Sequence, residues 1–109
     1  MNILKFHKIV DELMFTIEDK LDNYCSNIDI DYEIQYHTMT ITFYNKNKII
    51  INRQESLKQI WLATKQNGYH FKYKKKEWIC DKYKDNIWNI LTNTFLIETN
   101  ELIIFQKNI

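Results

Sequence analysis

Glycine and proline are nearly missing from this sequence of 109 residues, since proline is absent and glycine occurs once, as Gly68. A single glycine excludes a glycine-rich loop that could cradle a phosphate, and no stretch has the composition of a linker, a repeat or a low-complexity segment. Hydrophobic residues make up 45% of the chain and aromatic residues 15%, which is enough for one ordinary core. We therefore predict a single domain over residues 1–109.

Long apolar runs are also missing. No stretch of about 18 apolar residues occurs, and the start, MNILKFHKIVDELMF, is interrupted by charged side chains. The sequence therefore predicts neither a membrane span nor a signal peptide, no membrane partner, and a cytoplasmic location. Thiols stay reduced in that compartment, so Cys25 and Cys80 are predicted to be free, with Cys80 buried in a strand.

Catalytic motifs are missing as well. The sequence has no nucleophile with a base at a recognisable spacing and no HExxH-type metal motif. Its three histidines, His7, His37 and His70, are scattered along the chain, which is thin material for acid–base chemistry. We predict that the protein is not an enzyme.

Charge is distributed unevenly along the chain. Residues 1–36 carry three lysines and eight acidic residues, a net of −5, whereas the remaining residues carry twelve basic and six acidic groups, a net of +6. The formal net charge of +1 hides this polarity. Such asymmetry indicates charged partners more than it indicates a fold.

Hydrophobic periodicity predicts a helix followed by strands. Apolar residues recur at spacings of three and four from about residue 3 to residue 23, which indicates an amphipathic helix. From Asp29 the period changes to two, which predicts strands over residues 29–36 and 38–43. The segment Asn45–Asn47 is typical of a hairpin turn into a third strand, Lys48–Asn52.

Three further strands are predicted over Leu57–Lys65, Tyr69–Tyr73 and Glu77–Cys80. The pair Asn67 and Gly68 is a strong signal for a hairpin, and it assigns Gly68 a conformational role in the turn.

A second helix is predicted to follow, with Asp81 or Asp85 as its cap. Its apolar stripe consists of Ile87, Trp88, Leu91 and Phe95. A final extended piece, Leu102–Phe105, is predicted to pack beside this helix. The order of elements predicts an α+β two-layer sandwich, in which the N- and C-terminal helices pack on one face of an antiparallel β-sheet.

Carboxylates concentrate at the end of the first helix and on the first strand. Those in the last helical turns each cost about 0.3 to 1 kcal/mol against the negative helix terminus, and those on the strand stand about 6.6 to 6.8 Å apart. Pairs of carboxylates can hold a hard cation weakly and exchangeably, although a merely solvated acidic face remains the alternative. The candidate metal ligands are Glu18, Asp19, Asp22, Asp29, Asp31 and Glu33, with Asp11 and His7 nearby.

Several segments occur in a recognisable order: a helix ending TIEDKLD, the strand DIDYEI, the stretch INRQESLKQIWLATKQNGYHFKY, and EWICD. Together they closely resemble the bacterial frataxin family, the CyaY-type proteins, over nearly the whole chain. The resemblance implies the frataxin fold, with two helices against one face of an antiparallel sheet. It also implies an iron-binding protein of iron–sulfur cluster assembly, acting as an iron-dependent regulator of the cysteine desulfurase and scaffold complex or as an iron donor.

The family's acidic ridge, by this resemblance, falls on the six carboxylates of the helix end and first strand, which would bind ferrous or ferric iron weakly and exchangeably. The chain departs from the family at Asn23, Cys25 and Asn27, where further carboxylates are expected, so its ridge is thinner. The number of ions, oligomerisation with iron, and whether cluster assembly is slowed or promoted stay open; without metal we expect a monomer. The ridge residues implied to dock on the desulfurase are Glu18, Asp19 and Asp22.

The sheet is implied to carry a second docking surface, in which Asn52, Gln54 and Trp61 face the scaffold and the desulfurase. Period two places Trp61 opposite its aliphatic neighbours, so Trp61 turns outward if those neighbours are buried. Tryptophan is also a frequent interface anchor. Arg53 is the only arginine among 15 basic residues, which fits a need for a planar fork, and we count it among the partner-binding residues.

A cluster of lysines leaves one alternative function open, that of a single-stranded nucleic-acid-binding module. Against it, alternation places Tyr69, Phe71 and Tyr73 on the face opposite Lys72 and Lys74, toward the core. We therefore predict no nucleic-acid partner. The cluster comprises Lys72, Lys74, Lys75, Lys76, Lys82 and Lys84, with Tyr69, Phe71, Tyr73 and Tyr83 among them.

Overall fold

The computed structural model describes residues 1–24 and 29–107, so Cys25 and Asn27 lie outside the described residues. A helix at each end of the chain frames a run of strands, as the sequence predicts. The elements are α1 (Ile3–Asp22), β1 (Ile30–Gln35), β2 (Thr38–Phe43), β3 (Lys48–Gln54), a 3₁₀ turn (Glu55–Leu57), β4 (Gln59–Ala63), β5 (Gly68–Lys74), β6 (Glu77–Cys80), β7 (Asp85–Asn86) and α2 (Ile87–Thr99).

Helix α1 begins where Asn2 caps it, because the Asn2 side chain accepts a hydrogen bond of 2.8 Å from the Lys5 amide. It ends at Asn23, whose backbone N–H donates to the Asp19 carbonyl. The face toward the sheet repeats every three to four residues, which buries one apolar stripe. That stripe consists of Phe6, Val10, Leu13, Met14 and Ile17.

The strands form one antiparallel sheet in the order β1-β2-β3-β4-β5-β6-β7, each hydrogen-bonded to its neighbour in sequence. Inward side chains of β2, β3 and β4 alternate with exposed or half-exposed ones, so a single sheet face covers the core. The buried side chains of α1, α2 and the sheet join in one cluster. The predicted α+β sandwich is confirmed.

The connection between β3 and β4 differs from the prediction. Leu57 does not begin a strand; it ends the 3₁₀ turn with its side chain 56% exposed. Lys58 then adopts a left-handed conformation with φ of 50°, and β4 starts only at Gln59. The prediction placed Leu57 in the strand because the residue is apolar. The 3₁₀ turn, and not burial in the core, determines where Leu57 lies.

The hairpin between β4 and β5 lies where it was predicted, but Gly68 has no special conformation. Gly68 is the first residue of β5, pairs with Ala63 and does not have a positive φ. The turn is instead closed by Thr64, whose amide donates to the Asn67 carbonyl at 2.8 Å and whose hydroxyl accepts from the Asn67 amide at 3.1 Å. The predicted conformational role of Gly68 is therefore wrong.

Helix α2 is capped by Asn86, and neither Asp81 nor Asp85 caps it. The Asn86 side chain accepts from the Asn89 amide at 3.0 Å, while the Asp85 carboxylate accepts from the Asn89 side chain at 2.8 Å and so supports the cap. Trp88, predicted in the buried stripe, is only half-buried. The short strand β7 before this helix was not predicted.

The segment after α2 packs beside it, as predicted. Ile103 and Phe105 are buried, the Phe105 ring lies 4.6 Å from that of Phe95, and the Phe105 amide donates to the Thr92 hydroxyl at 2.9 Å. Cys80 is buried in β6, which confirms that prediction. In the described part of the chain, neither helix has the length and apolar character needed to cross a membrane.

Candidate functional site

The acidic ridge begins in the last turns of α1. Asp19 and Asp22 are exposed there and Glu18 is half-exposed. Asn23, which stands where the resembling family has a further acid, donates its side-chain amide to the Asp19 carbonyl at 2.8 Å and to the Asp19 carboxylate at 3.2 Å. The negative end of the helix would repel another carboxylate, whereas an asparagine side chain can donate hydrogen bonds to it.

The ridge continues on the sheet edge. Asp31 and Glu33 are exposed and alternate along β1 with Ile30 and Tyr32, which pack against the core, and Asp29 is exposed just before the strand. As the outermost strand, β1 presents these carboxylates beside an open edge, where charge also opposes unwanted strand pairing.

Tyr32 joins the helix part of the ridge to the strand part. Its hydroxyl donates a hydrogen bond of 2.6 Å to Asp22 Oδ1. This hydrogen bond, together with burial and the negative charges of Asp22 and Glu18, raises the pKa of the Tyr32 hydroxyl to about 12. Sequence reasoning identified Tyr32 only as a strand residue; its position, ten residues after an aspartate across a helix-to-strand connection, carried no recognisable signal.

The ridge carboxylates are spread along the end of α1 and along β1. Within residues 1–24 and 29–107, no three His, Cys, Asp or Glu side chains converge closely enough to hold a metal ion. Exposed carboxylates of this kind suit a hard cation that keeps most of its water ligands and exchanges readily. The donor set therefore fits weak iron binding by pairs of carboxylates and does not form an enclosed cage.

His7 and Asp11 lie in a different place from the ridge. Asp11 precedes Glu18 by seven residues, which is about 10 Å along a helix. The His7 Nδ1 atom lies 3.0 Å from Arg53 Nη1, and His7 Nε2 lies 2.8 Å from a Glu55 carboxylate oxygen. Both ring nitrogens of His7 are thus engaged, and the structure divides the predicted metal set into two groups.

Arg53 faces the first helix. Its side chain is only 8% exposed, and Nη2 donates to Asp11 Oδ1 at 2.5 Å. Its Nε atom is buried without a hydrogen-bond partner. The two terminal nitrogens of the guanidinium contact His7 and the exposed carboxylate of Asp11 within the same chain. A role of Arg53 in partner binding stays a prediction.

Trp61 lies on the sheet face opposite the helices, which confirms its predicted orientation, because Ile60 and Leu62 are buried. Its indole N–H donates to Gln59 Oε1 at 2.8 Å, and its ring stacks on His70 with centroids 4.2 Å apart and planes 10° from parallel. The hairpin register, which pairs Trp61 with His70, creates this stack. The Trp61 side chain is therefore held in place by contacts within the sheet.

Asn52 and Gln54 lie on the neighbouring strand β3, on the sheet face that carries Trp61. Asn52 pairs with Trp61 in the β3–β4 register and accepts a hydrogen bond of 2.6 Å from the Thr38 hydroxyl. Gln54 is half-buried at the end of β3. Alternation along the strand also places Gln59 on the Trp61 face, as the sequence predicts. His70 and Thr38, which sequence reasoning did not assign to this surface, could have been found only from the register of the hairpins.

Comparison with known proteins identifies relatives over most of the chain. The model of the frataxin-like domain matches residues 1–101. The iron-sulfur cluster assembly protein CyaY of Buchnera aphidicola subsp. Acyrthosiphon pisum is 55% identical over 102 residues, covering 94% of this chain and 88% of that protein. The protein of the same name from Buchnera aphidicola subsp. Schizaphis graminum is 52% identical over 100 residues, covering 92% and 83%.

Solved structures agree with the fold. Frataxin from Psychromonas ingrahamii superposes with a TM-score of 0.89 at 36% identity, covering 97% of this chain and 99% of that one. Trimeric frataxin from the yeast Saccharomyces cerevisiae, complexed with ferrous, superposes with a TM-score of 0.69 at 22% identity, covering 93% and 88%, and supports the fold alone. With its matched domain, its relatives and its architecture in agreement, the chain belongs to the frataxin family.

Proposed function

We propose that this protein binds iron and takes part in iron–sulfur cluster assembly, as an iron-dependent regulator of the cysteine desulfurase and scaffold complex or as an iron donor. The observation that carries the proposal is the exposed row of carboxylates from the end of α1 to β1, joined by the contact between Tyr32 and Asp22. Relatives at 52% and 55% identity bear the name iron-sulfur cluster assembly protein. In this role the protein acts without catalysis, in the cytoplasm, and is a monomer without metal.

Iron is cargo or signal in this proposal. Neighbouring carboxylate pairs of the ridge hold it through oxygen atoms, at a site open to solvent. Asp22 has one carboxylate oxygen engaged by Tyr32 and the other available to a cation. Because no enclosed cage surrounds the ion, we expect weak and exchangeable binding.

Docking on the desulfurase follows from charge. The ridge supplies six of the eight acidic groups of residues 1–36, whose net charge is −5, and such a surface steers association with a basic groove. Trp61 and Asn52 then present a preorganised sheet face to the scaffold. Iron on the same carboxylates neutralises part of the charge that attracts the desulfurase, so metal binding and docking are coupled.

The test is an anaerobic titration of isotope-labelled protein with ferrous ion, followed by amide NMR in dilute buffer. We expect selective broadening at the ridge and none at the basic end of the molecule. The double variant Asp19→Asn, Asp31→Asn should lose this broadening. The matched control, Glu12→Gln with Glu77→Gln, removes the same charge from the groove between α1 and the β5–β6 hairpin and should keep it.

Absence of selective broadening in a folded protein, or equal loss in both double variants, would refute iron binding at the ridge. The proposal would then reduce to protein docking through the ridge and Trp61. The nucleic-acid alternative is not carried forward, because Phe71 is buried and Tyr69 and Tyr73 pack against the core, as predicted. Those rings are unavailable for base stacking.

A further inference from the structure

The lysine-rich end of the molecule lies toward the end of the strand order that is farthest from the acidic ridge. We call it the basic edge. It occupies β5, the β5–β6 turn and the β6–β7 loop, whereas the ridge borders β1 at the other end of the strand order. Its six lysines face only Glu77 and Asp81 within residues 72–84, a net charge of +4. The basic edge comprises Lys72, Lys74, Lys75, Lys76, Lys82 and Lys84.

Contacts inside the protein leave most of this charge unpaired with carboxylates. Asp81 accepts a hydrogen bond of 2.8 Å from Lys74 Nζ and lies 3.7 Å from Lys72 Nζ. The Lys74 hydrogen bond lowers the pKa of the Asp81 carboxyl below its usual value, and the charges of Lys74, Lys72 and Lys84 lower it further. A single exposed carboxylate thus serves several lysines, and the region keeps a positive potential.

The β5–β6 turn holds two of these lysines in an unfavourable conformation. Lys74 pairs with Glu77 across the hairpin, so Lys75 and Lys76 form a two-residue turn, and both have a positive φ, of 50° and 66°. Asparagine and glycine suit such a turn far better than lysine. The chain therefore keeps two cations at the hairpin tip in spite of a local backbone cost.

The outer sheet face beside these lysines has a concave region of about 460 Å³. Its polar lining consists of Gln59, His70, Lys72, Lys82 and Asp81, and the Asp81 carboxylate is already paired with Lys74. Gly68 also lines it, and the direction in which a Cβ would project from Gly68 meets no atom within 4 Å. The concavity can therefore admit a side chain of a partner among an amide, an imidazole, two ammonium groups and the carboxylate of Asp81.

The chemistry of this region selects its occupant. Single-stranded nucleic acid stacks successive bases on several rings, whereas among the tyrosine, phenylalanine and tryptophan side chains within residues 69–84 only that of Tyr83 is exposed, at 41%. Arg53, which could bind phosphate in a bidentate manner, is 8% exposed and faces α1. Lysines in such a setting favour carboxylates as their ligands. We propose that the basic edge is a docking surface for an acidic segment of a protein partner, with a carboxylate side chain seated between Lys72 and Lys82.

This surface goes beyond the proposed iron and desulfurase function, because it has the opposite charge and lies at the opposite end of the sheet. A basic partner on the ridge and an acidic partner on the basic edge can be bound at the same time. Gln59 and His70, which line the concavity, also contact Trp61, so the acidic segment would adjoin the Trp61 face.

The experiment uses the whole chain and an oligo-glutamate peptide as the probe. Binding is followed by amide NMR and by fluorescence anisotropy of the labelled peptide in dilute buffer. The test variant is Lys72→Gln with Lys82→Gln, and the matched control is Lys46→Gln with Lys48→Gln, which removes two lysines from the β2–β3 hairpin. A further variant, Lys75→Asn with Lys76→Gly, removes two cations while improving the turn, so its folding is not in question.

We expect selective shifts at Gln59, Gly68, His70 and Lys82, with an affinity about fivefold or more lower for the test variant and changed by less than about twofold in the control. The turn variant should also bind more weakly. Equal losses in the test and control variants would overturn the proposal by showing diffuse attraction. Tighter binding of an oligothymidylate at the same residues, or self-association of the free chain that the test variant abolishes, would also overturn it.

Discussion

At the scale of single residues, the contact between Tyr32 and Asp22 holds the two parts of the ridge together. The Tyr32 hydroxyl donates a hydrogen bond to the Asp22 carboxylate. The contact crosses from β1 to the last residue of α1, a helix end where carboxylates are otherwise unfavourable. A hydrogen bond to a charged acceptor is stronger than one between neutral groups. Tyr32 therefore stabilises a ridge that local helix energetics oppose.

Replacing Tyr32 by phenylalanine tests this contact and its dependence on pH. At about pH 8 we expect Tyr32→Phe to lower the free energy of unfolding by about 1 kcal/mol. The pKa of Tyr32 is raised from 10.0 to about 12 in the folded state, so its contribution is fully present below the unfolded value and is lost as the pH rises through the folded value. The difference between the wild type and the variant should thus shrink at about pH 11.

Urea unfolding at both pH values provides the measurement. The comparison between two proteins cancels the titration of the other tyrosines and the lysines. A difference that is zero at neutral pH, or that grows with alkalinity, would contradict the contact.

Arg53 shows at the same scale why side-chain roles escape a reading of the sequence. Its guanidinium contacts both His7 and Asp11. The partners themselves lie 46 and 42 residues away in sequence, and no spacing rule links such positions. Only the packing of α1 on β3 brings them together.

At the scale of elements, alternation along strand β4 separates core residues from the residue with the proposed docking role. Ile60 and Leu62 point into the core, while Trp61 lies across the outer face with His70 and Gln59. Neighbouring residues of one strand therefore have different consequences when replaced.

Trp61→Ala should lower the free energy of unfolding by only about 1 kcal/mol, because the indole is half-exposed and loses one ring stack and one hydrogen bond. Its matched control, Ile60→Ala, should lower it by about 2 to 5 kcal/mol, because it opens a cavity in the core. Urea unfolding and binding to the desulfurase and scaffold complex measure the two effects. Unfolding of Trp61→Ala, or unchanged partner binding, would contradict the docking role.

Turns and caps were the elements predicted least well. Asn86, and not the nearby aspartates, caps α2, and Thr64 closes a turn that seemed to need Gly68. Both asparagine and aspartate can cap a helix. Which residue does so depends on which backbone position places its side chain next to a free amide of the first helical turn. That position is decided by where β6 ends and β7 begins, which periodicity does not define.

At the scale of the whole molecule, the strand order separates the acidic and basic parts of the chain in space, because they lie toward different ends of the sheet. The residues with a net of −5 include α1 and β1, and the basic edge occupies the other end of the sheet. Opposite potentials at the two ends favour partners of opposite charge, and salt weakens their approach.

Affinity for the desulfurase, measured anaerobically with and without ferrous ion, tests the coupling between metal and docking. We expect ferrous ion to weaken binding about fivefold, because it neutralises ridge charge, and we expect added salt to weaken both values. Trp61→Ala should reduce affinity while leaving the effect of iron intact. Identical affinities with and without iron would end the coupling proposal.

The amino-acid sequence by itself determined the two helices, most of the strands, the inward and outward faces of β4 and β5, and the positions of the ridge carboxylates. These follow from periodicity, because a side chain's direction depends on the local backbone repeat. Tertiary structure alone decided that Tyr32 binds Asp22, that Arg53 turns inward to His7 and Asp11, and that Trp61 stacks on His70. Such contacts depend on strand register and helix packing, which bring together residues that no local pattern connects.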